Sequence, residues 1–442
     1  MNTKVEFKPA KETPFVADRQ SDLSDQERVD AALNQFLRDT DFVTATYMES
    51  CIHCGLCAEV CHFYEQTGDP KYTPIWKLEP LKRAYKRESG PFSFIYKALN
   101  LKRKLTADEL AQWQHLLYDS CTVCGRCSMV CPMGIDIASL ISKARHGMFQ
   151  AGLVPETLWT MAKKAQDEGS PLGVTAEVLQ DAIQRMEKEY AVKIPLDKDQ
   201  ADILVSISSL EILNYTRTLA DMARVMNHLG YSWTLRSDGF EASNPGLLAG
   251  GEAWQRASSK RLVDAAIACK ARIVVIPECG HGYNAFRWQA ANLYGKPLPF
   301  RIMHITELMA EGIRNNKLRV NRVNESVTFH DPCQVSRRGG ATEAPRTVLT
   351  ALGVDLHEMP AAGDLNWCCG GGGGVFDIQR ADKLRYRSFR IKMEQVNQSG
   401  ADKLYTSCSN CRQTFDDCAE HFDWDKHPNS LLELVADNLA PI

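Results

Sequence analysis

No run of about 18 apolar residues occurs anywhere in this 442-residue sequence, so no transmembrane helix of its own is expected. Positive charge is also in short supply. Lysine and arginine total 52 against 55 aspartate and glutamate, a formal net charge of −3. That balance excludes general nucleic-acid binding, which needs a strongly basic surface. The opening "MNTKVEFKPAKETPF" lacks the apolar core of a secretion signal, so a cytoplasmic chain is expected. Cysteine, by contrast, is abundant at 16 residues. Disulfide scaffolds this rich in cysteine are usually short secreted chains. In a long cytoplasmic chain the same thiols point to metal.

Their spacing says which metal. "CIHCGLCAEVC" sets Cys51, Cys54, Cys57 and Cys61 at C-x2-C-x2-C-x3-C, and "CTVCGRCSMVCP" repeats the pattern with Cys121, Cys124, Cys127 and Cys131. Two such runs specify a two-cluster ferredoxin-like domain. The first three thiolates of a run share one cubane 4Fe-4S cluster, and the fourth serves the other. The expected sets are therefore Cys51, Cys54, Cys57 and Cys131, and Cys121, Cys124, Cys127 and Cys61. Two structural zinc ions in all-cysteine tetrahedra are the bland alternative, but such sites rarely space three cysteines evenly with a fourth at x3. Two departures stand out. His62 occupies the place where Pro132 closes the second run, and a long insertion separates the runs. Its segment "KYTPIWKLEPLKRAYKRESGPFSFIYKALNLKRK" carries ten Lys and Arg against two Glu, with Trp76, Tyr85, Phe92, Phe94 and Tyr96 interleaved. It reads either as a solvated helical insertion or as a docking surface for a membrane-bound partner or anionic headgroups.

Residues 156–195 read as helical and polar, a connecting segment. Beyond them short apolar runs alternate with amphipathic ones, the signature of α/β layers. "ADILVSIS", "YSWTLRS" and "ARIVVIP" are expected strands with helices between, and "SVTFHDP", "VDLHEMP" and "ADKLYTS" repeat the order. The second half alone carries Cys333, the pair Cys368–Cys369, and Cys408 with Cys411. In the first half "CGHGYNAF" matches "CSNCRQTF" but puts Gly282 where Cys411 stands, and "LLAGGEAW" replaces the cysteine pair. Cys279 thus reads as an orphan, and Cys269 and Cys418 read as core.

"HDPCQ", "WCCGGGGG" and "CSNC" resemble the cysteine-rich CCG module of the heterodisulfide reductase family. Joined to a double-cluster ferredoxin domain they are similar to that family's D-type chains. The single intact module is most similar to the DsrK-like group, from the membrane complex linked to dissimilatory sulfite reductase. The resemblance implies a multidomain α+β chain, with an amino-terminal helical two-cluster ferredoxin-like domain followed by tandem α/β CCG-type modules. Its expected parts are an extension with a helix (1–45), the ferredoxin-like domain (46–155, insertion 62–120) and a helical connector (156–200). A degenerate module (201–322) and an intact one (323–442) follow. The resemblance also implies a noncubane 4Fe-4S cluster on Cys333, Cys368, Cys369, Cys408 and Cys411, where a disulfide or trisulfide is reduced.

Adjacent thiolates suit such a cluster because they reach different irons. The glycines, Gly370, Gly371 and Gly372 first among them, would let backbone amides approach sulfide. A following helix would add its amino-terminal dipole. A nucleotide loop is disfavoured, since no Gly-Lys-Ser/Thr follows the glycines. His330 is either a tuning or proton-donating group or a structural histidine, and Arg337 and Arg338 either attract an anionic substrate tail or are solvated. Implied partners are a membrane-bound cytochrome b-type quinol-oxidising subunit and a small cysteine-bearing sulfur-carrier protein. They would hold the chain peripherally at the inner membrane. Competing expectations are the relay subunit of a quinone-linked glycolate, lactate or glycerol-3-phosphate dehydrogenase, a pure relay or assembly subunit, and a component of a cytoplasmic heterodisulfide-reductase-like sulfur-oxidation complex.

Overall fold

Ser24 opens the first helix, Asp25–Arg38, with a reciprocal cap. Its hydroxyl accepts from the Glu27 amide while the Glu27 carboxylate accepts from the Ser24 amide. In this computed structural model, which describes residues 15–441, that helix crosses the Ile137–Gln150 helix at very close range. A Cβ at Gly147 would lie 1.9 Å from the Phe36 ring. Phe36, Leu110, Trp113, Tyr118 and Met148 form the apolar core around the crossing. The Ile137–Gln150 helix turns Leu140, Ile141, Ala144 and Met148 into it, three or four residues apart, as a one-sided helix requires. Among the described residues up to Tyr190 the chain is helix and loop, and strands begin only at Ile203.

Just before Cys121 the chain makes a π-helical turn, His115–Asp119. Such turns leave carbonyls out of the regular ladder. Arg145, only 1% exposed, uses one of them. Its guanidinium donates to the Leu117 carbonyl (3.2 and 2.8 Å), to those of Cys121 and Gly373 (2.8 Å each), and to that of Leu248 (3.0 Å). One buried cation thereby joins the helical part to both halves of the α/β part.

The expected connector splits between two cores. In the Glu156–Glu168 helix Leu158 and Ala162 join the amino-terminal core, while Leu179, Ile183 and Met186 of the Ala176–Tyr190 helix join the α/β core.

The α/β part holds two parallel four-stranded sheets of one design. The first is β2(Trp233–Thr234)-β1(Ile203–Val205)-β3(Ile273–Ile276)-β4(Arg301–His304), and the second is β6(Asp355–Leu356)-β5(Ser326–His330)-β7(Lys403–Thr406)-β8(Pro428–Ser430). The central strands of the first sheet, β1 and β3, are apolar on both faces because helices cover both. Each half has one strand more than its sequence pattern announces. β4 opens on a charged residue, and β8 is three residues, "PNS", at a sheet edge. There proline costs no ladder bond and periodicity is too short to read. Register pairs His330 with Thr406, and Thr406 Oγ1 donates to the His330 carbonyl at 2.9 Å. The carboxyl ends of β5 and β7 thus lie side by side, the usual place for ligand-binding loops in such sheets.

Candidate metal centres

Each cysteine run winds through the same local geometry. His53 and Val123 take positive φ (56° and 52°), as do Gly55 and Gly125 (86° and 76°). The tight left-handed turns bring three thiols to one side of the loop. A pocket lined by Ile75, Leu78, Ile135 and Leu140 gathers Cys51, Cys54, Cys57 and Cys131. Burial, together with the Cys51, Cys54 and Cys131 sulfurs, pushes the Cys57 thiol up to about 11. A second pocket, beside Phe63 and Ile141, gathers Cys61, Cys121, Cys124 and Cys127. Cys54 is exposed and Cys57 buried, whereas the four thiols of the second set are all partly buried. Lys77, 2% exposed, sits beside that second set. Its ammonium lies 3.9 Å from Cys61 Sγ and donates to the Ser120 carbonyl. A buried cation there offsets the negative charge that four thiolates would bring.

The third group forms where loops leave β5 and β7. Cys333 Sγ lies 3.8 Å from Cys368 Sγ, and Cys369 Sγ 3.5 Å from Cys411 Sγ. Cys408 caps the Ser409–Phe422 helix. All five thiols are buried. Cys369 is held well below the usual thiol range, first by hydrogen bonds from Cys368 and Cys411, while Cys411 is driven well above it by its bonds to Cys369 and Cys408 and by burial, and Cys333 by its bond to Cys368 and by burial. So close a buried set cannot carry five thiolates unaided, which is the chemistry of a cation-binding cluster of ligands. His330 completes it, its ring within 4.8 Å of the Cys369 and Cys411 sulfurs. It is 1% exposed with both ring nitrogens unpartnered, and burial holds it neutral.

The glycines serve this group in two ways. The Gly370 amide points at Cys368 Sγ (3.4 Å), and the Gly371 amide hydrogen-bonds to Cys369. They also allow three neighbours to close in. A Cβ at Gly371 would lie 1.9 Å from Thr414 Oγ1, at Gly372 2.9 Å from His281 Nε2, and at Gly373 2.7 Å from the Thr122 carbonyl carbon. The helix expected to follow the glycines is delayed. Two 3-10 turns, Val375–Asp377 and Gln379–Ala381, come first, and the helix end nearest the thiols is that of Ser409–Phe422.

The second and third groups touch. The Cys124 thiol reaches the Cys368 thiol. Around that contact Gln334 donates to the Val123 carbonyl (3.0 Å), Arg337 donates to the Cys124 carbonyl (2.9 Å), and the Arg126 guanidinium stacks 3.6 Å over Trp367. Arg337 also donates to the Asp364 and Asn366 carbonyls, and Arg338 forms an ion pair with Asp136 (3.1 Å). Cys269 and Cys418 lie in apolar cores.

Sequence spacing alone does not reveal that the first α/β half enters the site. Cys279 precedes the Gly280–Tyr294 helix as Cys408 precedes its own, its sulfur accepts from the Gly282 amide at 3.4 Å, and it lies close enough to Cys408 to be raised by it. His281 Nε2 accepts from the Gly373 amide at 3.0 Å. Gly282 is fixed in its identity, since a Cβ there would stand 2.5 Å from the Ala242 carbonyl oxygen. Behind Cys279 lie three buried carboxyls, Glu211, Glu241 and Glu278. Burial pushes Glu211 up to about 8 despite its bonds from Ser208. The unfolded chain releases that proton near 4.5, so the folded state's advantage is complete below 4.5 and is lost as pH climbs toward 8. His62, His281 and His304, lowered by burial to about 3, about 4 and about 3, act in the opposite sense below about pH 7, where their unfolded imidazoles still hold protons, and contribute no further change above it. The thermal midpoint is expected to fall between about pH 7 and about pH 8. A rising midpoint in a melting series would show that Glu211 is already ionised.

Comparison with known proteins places a 4Fe-4S dicluster domain over residues 47–135 and a cysteine-rich CCG domain over residues 327–416. An Hdr-like menaquinol oxidoreductase iron–sulfur subunit 2 from Archaeoglobus fulgidus is 26% identical, over 89% of this chain and 80% of its own length. The D-type chain of dihydromethanophenazine:CoB–CoM heterodisulfide reductase from Methanosarcina barkeri is 25% identical, over 91% of this chain and 97% of its own. An EtfAB:quinone oxidoreductase from Syntrophomonas wolfei is 25% identical over 82% of this chain, which spans about half of that longer protein, 54%.

Proposed function

We propose that this chain, an iron–sulfur oxidoreductase of the heterodisulfide reductase-like family, reduces a disulfide or trisulfide at its CCG site. The substrate would be a small sulfur-carrier protein, and a membrane-bound cytochrome b-type quinol-oxidising subunit would supply the electrons. Cys51, Cys54, Cys57 and Cys131 would hold one cubane 4Fe-4S cluster, and Cys61, Cys121, Cys124 and Cys127 the other. Cys333, Cys368, Cys369, Cys408 and Cys411 would hold a noncubane one. When bound, these groups supply one-electron transfer and a sulfur-affine metal.

The observation that carries the reading is the contact between the second and third thiol groups, Cys124 against Cys368, with the third group buried and the first reaching the surface at Cys54. Exposed Cys54 marks where a donor can approach. Cys124 against Cys368 brings the ligands of the second and third groups into contact, and Arg337, Gln334 and the Arg126–Trp367 stack fix that contact. Reducing a disulfide to two thiols consumes two electrons and two protons. His330, Lys392, which burial lowers to about 8 beside Cys368, Cys369 and Cys411, and Cys279 are buried protonatable groups of this chain close to that chemistry.

Anaerobically purified protein should contain about 12 irons per chain and no stoichiometric zinc. Iron near four, or zinc near two, ends this reading. The name of the Syntrophomonas relative favours a second reading, a relay to quinone with no sulfur substrate. A reduced artificial donor and a carrier-protein trisulfide separate the two, since only the first reading expects persulfide and thiol to be released.

A further inference from the structure

The Ser93–Ala98 helix has no buried residue. Phe92 and Phe94, at its start, are 60% and 69% exposed, and Leu99 and Leu101, just after it, are 65% and 60% exposed. Isolated apolar side chains at a surface are ordinary, but four on one short projecting segment are not. Their flanks are equally one-sided. Residues 89–106 include Lys97, Lys102, Arg103 and Lys104 and no acidic side chain.

Two of the remaining basic residues of the insertion, Arg83 and Arg87, brace this projection. Arg87, 7% exposed, donates to the Lys102 carbonyl and to Asn100 Oδ1 (2.5 and 3.3 Å). Arg83 pairs with Glu109 and donates to the Arg103 carbonyl (3.1 Å). Lys86 pairs with Glu49 (3.7 Å), and Lys82 meets His53 Nε2 (3.0 Å) in the first cysteine loop. The Pro74–Glu88 helix is thus a strut from the exposed thiol group to a rigidly held apolar, cationic tip. On the tip, Lys97 pairs only with Glu88 at its base (2.9 Å) and stays 48% exposed.

We infer that residues 92–104 form a contact for an anionic lipid surface, with Phe92, Phe94, Leu99 and Leu101 entering the headgroup–acyl boundary and Lys97, Lys102 and Lys104 meeting the headgroups. Charge complementarity selects this occupant. Long lysine stems let ammonium groups stay with phosphates while neighbouring apolar side chains sink. A helix of six residues cannot span a bilayer, so the contact lies in the interface plane. The inference does not depend on the sulfur chemistry. It places the exposed thiol group at the membrane surface by the chain's own contact, in addition to any partner subunit.

The test is co-sedimentation of the intact, iron-loaded chain with vesicles at physiological salt. Binding to vesicles of phosphatidylcholine with one quarter phosphatidylglycerol is expected, with little to phosphatidylcholine alone. Phe94→Ser with Leu99→Ser, and separately Lys97→Glu with Lys104→Glu, should each weaken binding by about tenfold or more. Unchanged iron content in these surface variants would show that the fold survives. Wild-type protein left in the supernatant with both vesicle types overturns the proposal. So does full binding by both variants. Variants that bind vesicles normally but fail to assemble with a partner subunit in detergent would make the tip a protein contact, and would overturn it too.

Discussion

Cys369→Ser should lower bound iron from about 12 to about 8 atoms per chain and abolish disulfide or trisulfide cleavage. Cys369 stands between Cys368 and Cys411, receives the Gly371 amide, and is the thiol held lowest in the set. It is thus the member already closest to the thiolate form that metal requires. A hydroxyl in its place is a poorer iron ligand and leaves Cys411 without its partner at 3.5 Å. The cubane groups share no ligand with it, so the variant should still take electrons from an artificial donor. Cys279→Ala is the matched comparison. It removes a thiol beside Cys408 that has no second thiol from its own half, and iron should stay near 12. Cleavage by Cys369→Ser at the wild-type rate would move the chemistry elsewhere. Loss of iron in Cys279→Ala would make that residue a ligand.

Arg145→Met should cost about 3–5 kcal/mol of stability and loosen the helical part from the α/β part. Arg145 is buried and donates to carbonyls at Leu117, Cys121, Leu248 and Gly373, from the helical part and both halves of the α/β part. Methionine fills much of the stem's volume but supplies no donor, so each carbonyl keeps its desolvation cost without its bond. Arg145→Lys keeps the charge yet lacks the planar fork that reaches four acceptors, and should lose nearly as much. Denaturant midpoints and limited proteolysis near Leu248 and Gly373 read both effects. A loss below about 1 kcal/mol would mean that water replaces the guanidinium without penalty.

The helical start and the α/β remainder were legible because each rests on local rules: capping, one-sided helices and buried apolar runs. The thiol groups of the cysteine runs are legible for the same reason, since three of each four lie within seven residues. What spacing cannot carry is company brought from afar. Lys77 beside Cys61, Arg337 on the Cys124 carbonyl and His281 on the Gly373 amide join residues 16, 213 and 92 positions apart. Each is an ordinary side chain until the fold assembles its neighbour. The insertion shows the converse. Ten basic residues read as one surface, yet Arg83 and Arg87 are interior braces and the outward-facing charge lies at 97–104. Composition counts charges but does not tell which of them face outward.

The contact at Gly282 makes a second thiol site in this chain expensive to build. The space that a side chain at 282 would need is taken by the Ala242 carbonyl. Gly250, in the stretch that stands where the second half has its cysteine pair, rests against the backbone of Arg145, where a Cβ would lie 2.2 Å from its carbonyl oxygen. Five thiols in the first half would require moving both backbones before any new cysteine did useful work. Substitution by substitution, the chain has no short path to a symmetrical pair of sites.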